Sequence, residues 1–170
     1  LINVMNSIGD VVVVAPDSPQ SGMGHAITIN ETLYCKKEKI NDGPQVEYST
    51  SGTPADCVKL AVHELLDKKP DLCVSGINHG SNSSINVIYS GTMSAAIEAG
   101  MEGIPAIGFS LLDYNWDANF NPFKIISDFF IFINGVWILN LSPKTPAFVA
   151  KFAVFSNAAI YSGLQSGYPL

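Results

Sequence analysis

Residues 11–16 of the chain read VVVVAP, and residues 17–25, which follow directly, read DSPQSGMGH. Four consecutive β-branched valines favour an extended strand, and the lack of polar alternation indicates a strand covered on both faces. Strands of this kind occur in parallel sheets that carry helices on either side. The stretch therefore predicts an α/β protein in which a Gly- and Ser-containing loop follows the carboxyl end of a buried strand.

The same alternation of elements continues along the chain. Residues 72–75, 104–112 and 136–141 have the composition of further buried strands. The sequence Thr53-Pro54-Ala55-Asp56 predicts a helix start, since threonine caps, proline suits the first helical position and aspartate completes a capping box. A helix of small residues is predicted over residues 92–99. Strands that alternate with helices predict an α/β fold with a parallel sheet between two helical layers.

Three other segments complete the predicted organisation. Residues 27–35 and 46–50 alternate well enough for two strands joined by a turn, and Asn121-Pro122 predicts another helix start. We divide the chain into a core at residues 1–142 and a C-terminal extension, which includes a β-hairpin, at residues 143–170. The first residues, LINVMNSIGD, have the pattern of the last turns of a helix.

Composition excludes several classes of protein. The chain has 170 residues, 47% of them apolar and 14% charged, so it is not an intrinsically disordered tail. A net charge of -6 provides no general electrostatic footprint for a nucleic acid polymer or an anionic membrane. Three separated cysteines favour thiols in a reducing, cytoplasmic environment rather than a disulfide framework. No stretch has the pattern of a signal peptide or a bilayer span.

Polar residues follow the predicted strands where ligands bind in open α/β sheets. Asn78, Asn82 and Ser21 supply oxygen ligands, which suit a hard cation such as Mg²⁺ or Mn²⁺. Gly91 lies at a predicted helix N-terminus, which attracts anions, and Ser90 and Thr92 add hydroxyl groups there. Together these residues indicate a metal-assisted phosphate site without Lys or Arg.

Simpler interpretations stay open for each element. The loops can be plain turns, Ser90 and Thr92 can be helix caps, and His25 can be a structural histidine. Asp17 can bind a ribose hydroxyl, as in a nicotinamide-dependent oxidoreductase, but the third glycine of the dinucleotide fingerprint is replaced by Ile27. A non-enzymatic interaction module is a further alternative. No phosphate-binding P-loop and no serine-hydrolase elbow occur in the sequence.

Several long motifs together resemble one known family, that of SurE (survival protein E). The motifs, in chain order, are residues 11–28 (VVVVAPDSPQSGMGHAIT), 52–59 (GTPADCVK), 69–82 (KPDLCVSGINHGSN), 89–99 (YSGTMSAAIEA) and 103–111 (GIPAIGFSL). The resemblance implies a Rossmann-like domain that acts as a metal-dependent 5'- or 3'-nucleotidase on nucleoside monophosphates, in some members also on polyphosphate. It also implies Mg or Mn as the metal, a cytosolic enzyme, and a homodimer or homotetramer.

The resemblance assigns roles to six residues. It makes Ser21 and Asn78 metal ligands, and it places Asn82 near the phosphate and the attacking water as the catalytic residue. Ser90, Gly91 and Thr92, with Asn82, match the substrate-binding residues around the phosphate.

One family motif has no counterpart in the chain. The two adjacent aspartates of an Asn-Asp-Asp-Gly stretch would precede Leu1, and no Asp-Asp pair occurs in the sequence. We therefore expect an N-terminal strand to be missing from the chain. The alternative is a catalytically inactive relative that binds nucleotides or phosphate without turnover.

Overall fold

The computed structural model describes residues 1–7, 9–82, 84–111, 115, 117 and 150–155, the last of these by their backbone. Its strands are β1 (Gly9–Pro16), β2 (Cys35–Glu38), β3 (Val46–Thr50), β4 (Leu72–His79), β5 (Ala106–Leu111) and β6 (Ala150–Phe155). Its helices are α1 (Ile2–Asn6), α2 (Pro54–Leu60), which continues as a π-helical turn (Ala61–Leu65), α3 (Asn86–Tyr89) and α4 (Gly91–Met101).

The six strands form one sheet in the order β2-β3-β1-β6-β4-β5. All neighbouring strands are parallel except β2 and β3, which are antiparallel. β6 lies at the centre, where Ala153 is paired with Val12 of β1 on one side and with Cys73 of β4 on the other. The carboxyl ends of β1 and β4 therefore lie at the same edge of the sheet.

Both faces of the sheet are covered. On one face Val14 and Cys73 pack with residues of α2 and α4, including Val58 and Ala95. On the other face a second cluster places Met5 of α1 against other residues of the sheet: Val11, Val13 and Val74. Successive valines of β1 thus serve opposite layers, which is why the run has no polar alternation. The predicted α/β class with a parallel sheet and helices on both faces is confirmed.

The predicted start of α2 is also confirmed. Thr53 Oγ1 accepts a hydrogen bond from the Asp56 amide at 3.2 Å, and Asp56 Oδ2 accepts one from the Thr53 amide at 2.9 Å. Pro54 occupies the first turn, where its missing N–H costs nothing. Asp56 also accepts from the amide of Thr28 at 3.1 Å and from its hydroxyl at 2.6 Å. The capping carboxylate therefore fixes a distant loop as well as the helix.

The strand predicted over residues 27–35 is wrong. β2 begins at Cys35, and the preceding residues form an exposed loop in which Ile29 is 79% and Tyr34 is 73% exposed. This loop is held at Thr28 by Asp56 and at Ala26, whose carbonyl accepts from Thr53 Oγ1 at 2.7 Å. These long-range side-chain contacts hold the loop, whereas its alternating sequence predicts the backbone hydrogen bonds of a β-sheet.

β4 is longer than predicted. It continues to His79, with a shift in register between Ser75 and Asn78, so part of the predicted polar loop belongs to the sheet. The helix predicted from Asn121, the strand predicted at residues 136–141 and the domain boundary at residue 142 lie outside the described residues. Within the part of the chain that is described, no helix is long and apolar enough to cross a membrane.

Candidate functional site

A cavity of about 210 Å³ opens where the loops after β1 and β4 meet the start of α4. The described residues that line it are all uncharged, and most of them carry a hydroxyl or an amide. They are Ser21, Gly22, Asn78, Asn82, Asn86, Tyr89, Ser90 and Gly91. A ligand in this cavity meets hydrogen-bonding groups and the end of a helix rather than a charged side chain.

The N-terminus of α4 forms one wall of the cavity. Ser90 caps the helix, since its Oγ accepts a hydrogen bond from the Met93 amide at 3.1 Å. Thr92 is 0% exposed, and its Oγ1 has no hydrogen-bond partner among the described residues. A buried hydroxyl without a partner costs free energy, and a helix N-terminus attracts anions. Both properties favour an anionic ligand at this wall.

The end of β4 supplies one asparagine, Asn78, and the loop after it supplies another, Asn82. The Asn78 amide nitrogen donates to the carbonyl of Gly80 at 2.9 Å, and the Asn82 amide nitrogen donates to Ser110 Oγ at 2.7 Å. Because both nitrogens are engaged, the two side-chain oxygens are the atoms available to a cation or a water molecule. Gly76, at φ +129°, lets β4 lie close to β5. A Cβ at this position would be 2.6 Å from the carbonyl oxygen of Phe109.

The loop after β1 brings Ser21 to the opposite wall. Three residues farther along, Gly24 adopts φ +59° and packs so closely on α3 that a Cβ would lie 2.6 Å from the Ile88 carbonyl oxygen. The Gly24 amide donates to the Tyr89 carbonyl at 3.3 Å. The loop is thus fastened directly beside the cavity.

The structure brings together five of the six residues that the sequence predicts for the site: Ser21, Asn78, Asn82, Ser90 and Gly91. Thr92 lies next in the chain, buried behind this lining. The chemical roles of all six stay predictions. The sequence analysis missed Gly22, Asn86 and Tyr89 as lining residues; Asn86 lies four residues after Asn82, and only the start of α3 there turns it toward the same space.

The cavity residues include several possible oxygen ligands for a divalent cation. Ser21, Asn78 and Asn82 offer neutral oxygens of suitable hardness. Such cations usually bind at least one carboxylate, and the described residues contain no group of three or more His, Cys, Asp or Glu side chains placed to hold a metal. These residues alone do not fit a Mg²⁺ or Mn²⁺ site.

Comparison with known proteins agrees with this geometry. The family model described as Survival protein SurE matches residues 1–155.

The chain belongs to the SurE family.

Its SurE relatives are close in sequence. A protein named 5'-nucleotidase SurE from Flavobacterium johnsoniae is 66% identical over 146 residues, which cover 86% of this chain and 54% of that protein. A protein of the same name from Flavobacterium psychrophilum is 74% identical over 124 residues, covering 73% and 48% respectively. The chain thus spans about half the length of the curated relatives it matches.

A solved SurE structure shares the fold. The crystal structure of the SurE protein from Aquifex aeolicus is 46% identical and matches with a TM-score of 0.57. The match covers 64% of this chain and 42% of that chain. The matched part of the chain therefore shares the fold of a solved SurE protein.

Proposed function

We propose that this SurE-family chain forms the substrate-binding core of a phosphomonoesterase that hydrolyses nucleoside 5'-monophosphates to a nucleoside and inorganic phosphate. Activity on 3'-monophosphates and on polyphosphate is part of the same proposal. The name 5'-nucleotidase, carried by relatives 66% and 74% identical, supports the substrate class. The observation that carries the proposal is the uncharged cavity at the start of α4, beside the unpartnered hydroxyl of Thr92.

The cavity suits a phosphate group better than a whole nucleotide. Its volume of about 210 Å³ is below that of a cleft that encloses a drug-sized molecule, so the nucleoside would extend out past Tyr89, which is 59% exposed. The N-terminal amides of α4 and the hydroxyl of Ser90 would hold the phosphate oxygens, and the hydroxyl of Thr92 would turn outward from behind this lining to join them. Binding through helix dipoles explains how a chain of net charge -6 can accept an anion.

Hydrolysis needs a water molecule aligned with the ester bond. Its oxygen bonds to phosphorus, the bond between phosphorus and the nucleoside oxygen breaks, and a proton passes to that oxygen. The side-chain oxygen of Asn82 is available to accept a hydrogen bond from this water because Ser110 engages the amide nitrogen. Asn82 therefore aligns the water in the proposed mechanism.

The proposed cofactor is a divalent cation, Mg²⁺ or Mn²⁺, with Ser21 and Asn78 as two of its ligands. A bound cation would polarise a phosphoryl oxygen. The carboxylates that such a cation requires would have to come from outside the described residues. The further proposals are a cytoplasmic location and a homodimer or homotetramer.

A conservative substitution of Thr92 tests the site. Thr92→Val removes the hydroxyl but keeps the shape, so we expect unfolding stability to be unchanged or slightly higher, because a buried unpartnered group is lost. Phosphate release from AMP and GMP should fall about 10-fold or more, the usual effect of losing one such donor. Release is measured with Mg²⁺, with Mn²⁺ and with EDTA, and stability by thermal unfolding.

A matched control is Thr28→Ser, which alters another threonine away from the cavity and keeps its hydroxyl bond to Asp56. Equal turnover by Thr92→Val and the unaltered protein would refute the assignment. No phosphate release by the full-length protein with Mn²⁺, together with a thermal shift on adding AMP, would favour the inactive, nucleotide-binding relative instead.

A further inference from the structure

A cluster of charged side chains joins the loop after β1 to two helices. His25 Nε2 lies 2.7 Å from Glu98 Oε2, and Lys59 Nζ lies 2.6 Å from Glu98 Oε1. His25 belongs to the loop, Lys59 to α2 and Glu98 to α4. We call these three residues the Glu98 cluster. Both oxygens of one carboxylate are thus used to fasten a loop and a helix to α4.

The carboxylate at the centre is almost fully buried. Glu98 is 3% exposed, whereas the side chain of His25 is 31% exposed. Burial alone would raise the pKa of Glu98, but hydrogen bonds from Lys59 and His25 outweigh it and hold that pKa below its ordinary value. Removing one partner of a buried carboxylate costs free energy. The bond between His25 and Glu98 therefore holds the loop in place.

Other charged groups surround the cluster. Glu102, at the end of α4, lies 3.8 Å from Lys59 Nζ and 3.1 Å from Nε2 of His63 in the π-helical turn. Asp56 of α2 also interacts with the charge of Lys59. The Glu98 cluster is thus part of a larger set of paired charges on α2, the π-helical turn and α4.

The Glu98 cluster joins the loop after β1 to α4, and both of these elements line the cavity. Ser21 precedes His25 by four residues, and between them the Gly24 amide is bonded to the Tyr89 carbonyl. α4 carries Glu98, and its first residue, Gly91, lines the cavity. Two further contacts that involve side chains hold this loop, at Ala26 and Thr28, and both are farther from Ser21 along the chain. Among the residues that follow Ser21, His25 is therefore the nearest along the chain whose own side chain holds the loop.

We propose that His25 is a positioning residue, which through its bond to Glu98 holds Ser21 and Gly22 at the cavity. The consequence for turnover rests on the proposed function, whereas the effect on the loop does not.

Amide hydrogen exchange of the full chain tests the effect on the loop without any need for turnover. The reporter is the Gly24 amide, followed by NMR as a protection factor. We expect His25→Ala to lower this protection about 10-fold, the size of effect that losing one hydrogen bond to a charged group has on local opening. His25→Gln keeps a donor near the Nε2 position and should restore most of the protection.

His63→Gln is the matched control. It alters the other histidine near the cluster, which pairs with Glu102 rather than with the loop. This variant should match the unaltered protein in the Gly24 protection factor. A Gly24 amide whose protection is the same in His25→Ala, His25→Gln and the unaltered protein would overturn the proposal.

Kinetics of AMP hydrolysis test the consequence. We expect His25→Ala to lower kcat/KM about 10-fold, and His25→Gln to recover most of it. If His25→Ala keeps the kcat/KM of the unaltered protein, the positioning role is wrong. If the unaltered protein hydrolyses nothing, the proposed function fails, and the Gly24 exchange data still decide whether the loop is held by His25.

Discussion

Single carboxylates have large structural roles in this chain. Asp56 caps α2 and binds Thr28, and buried Glu47 accepts hydrogen bonds from the amide of Ile40 and the side chain of Gln45. Burial acts to raise the pKa of each carboxyl, but the hydrogen bonds outweigh it and lower both. A carboxylate whose pKa is lower in the folded state stabilises the fold above its unfolded pKa and loses that effect as pH falls through the folded value.

Asp56→Asn tests this effect. We expect a loss of about 1–2 kcal/mol in the free energy of unfolding at pH 7, the typical value of a helix cap. The deficit should be constant above about pH 5 and shrink as the pH falls below the ordinary aspartate pKa near 4, where the unaltered protein also loses its charge. Urea unfolding from pH 7 to pH 3 measures it, with exposed Asp67→Asn as the control. A deficit that does not change with pH would contradict the charge-based account.

The local sequence predicts several residues of the cavity but not all of the residues that line it. Ser90, Gly91 and Asn78 could be predicted because a helix start and a strand end are visible in the sequence around them. Asn86 could not, since only the path of the chain through α3 places it at the cavity. The roles of Thr53 and Asp56 in holding Ala26 and Thr28 were hidden too, because both contacts join segments that local patterns treat separately.

At the scale of elements, α4 shows how closely a helix of small residues packs on a sheet. A Cβ at Gly108 of β5 would lie 2.7 Å from Met93 Sδ of α4. Gly100, on the outer side of the same helix, has nothing within 4 Å of the Cβ position. A side chain at Gly108 would force the buried Met93 side chain to move, whereas one at Gly100 would meet open space.

This contrast gives a matched pair of substitutions. Gly100→Ala should stabilise the protein by about 0.5–1 kcal/mol, because alanine loses less backbone entropy in a helix. Gly108→Ala should destabilise it by about 1–3 kcal/mol, the usual cost of overpacking a core. Thermal unfolding of the two variants measures both effects. Equal shifts of the same sign would be inconsistent with the packing of α4 against β5.

Also at the scale of elements, a strand prediction was correct where the residues pair with a neighbouring strand. It was wrong where they form their hydrogen bonds elsewhere. The run at residues 11–15 and the segment at 106–111 were recognisable because strands buried on both faces are apolar throughout. Residues 27–35 have the alternation of a strand but are fastened through Ala26 and Thr28 to the start of α2. Alternation alone does not show which residues find a partner strand.

At the scale of the whole molecule, the centre of the sheet is formed by a late segment of the chain. β6 joins β1 to β4, and its register places Ala153 between Val12 and Cys73. Residues 150–155 fall within the segment 143–170 that the sequence analysis separated from the core. Their position in the sheet depends on pairing across about 140 residues, and a local pattern holds no information on such pairing.

Proline substitution tests the central position of β6. Ala153→Pro removes a backbone donor from a strand that is paired on both sides, so we expect a loss of about 3 kcal/mol or more. Lys37→Pro in the edge strand β2, which is paired with β3 alone, should cost clearly less. Urea unfolding of both variants gives the comparison. An Ala153→Pro protein as stable as Lys37→Pro would show that β6 does not occupy the centre of the sheet in solution.

The central place of β6 also affects how the protein emerges during synthesis. β2, β3 and β1 can pair early, as can β4 and β5, but β1 and β4 each keep an open backbone edge until residues 150–155 have left the ribosome. Open edges of apolar strands pair readily with other chains. Between the synthesis of β4 and that of β6, the nascent chain therefore carries two unpaired strand edges, and its yield in a cell should depend on chaperones that cover them.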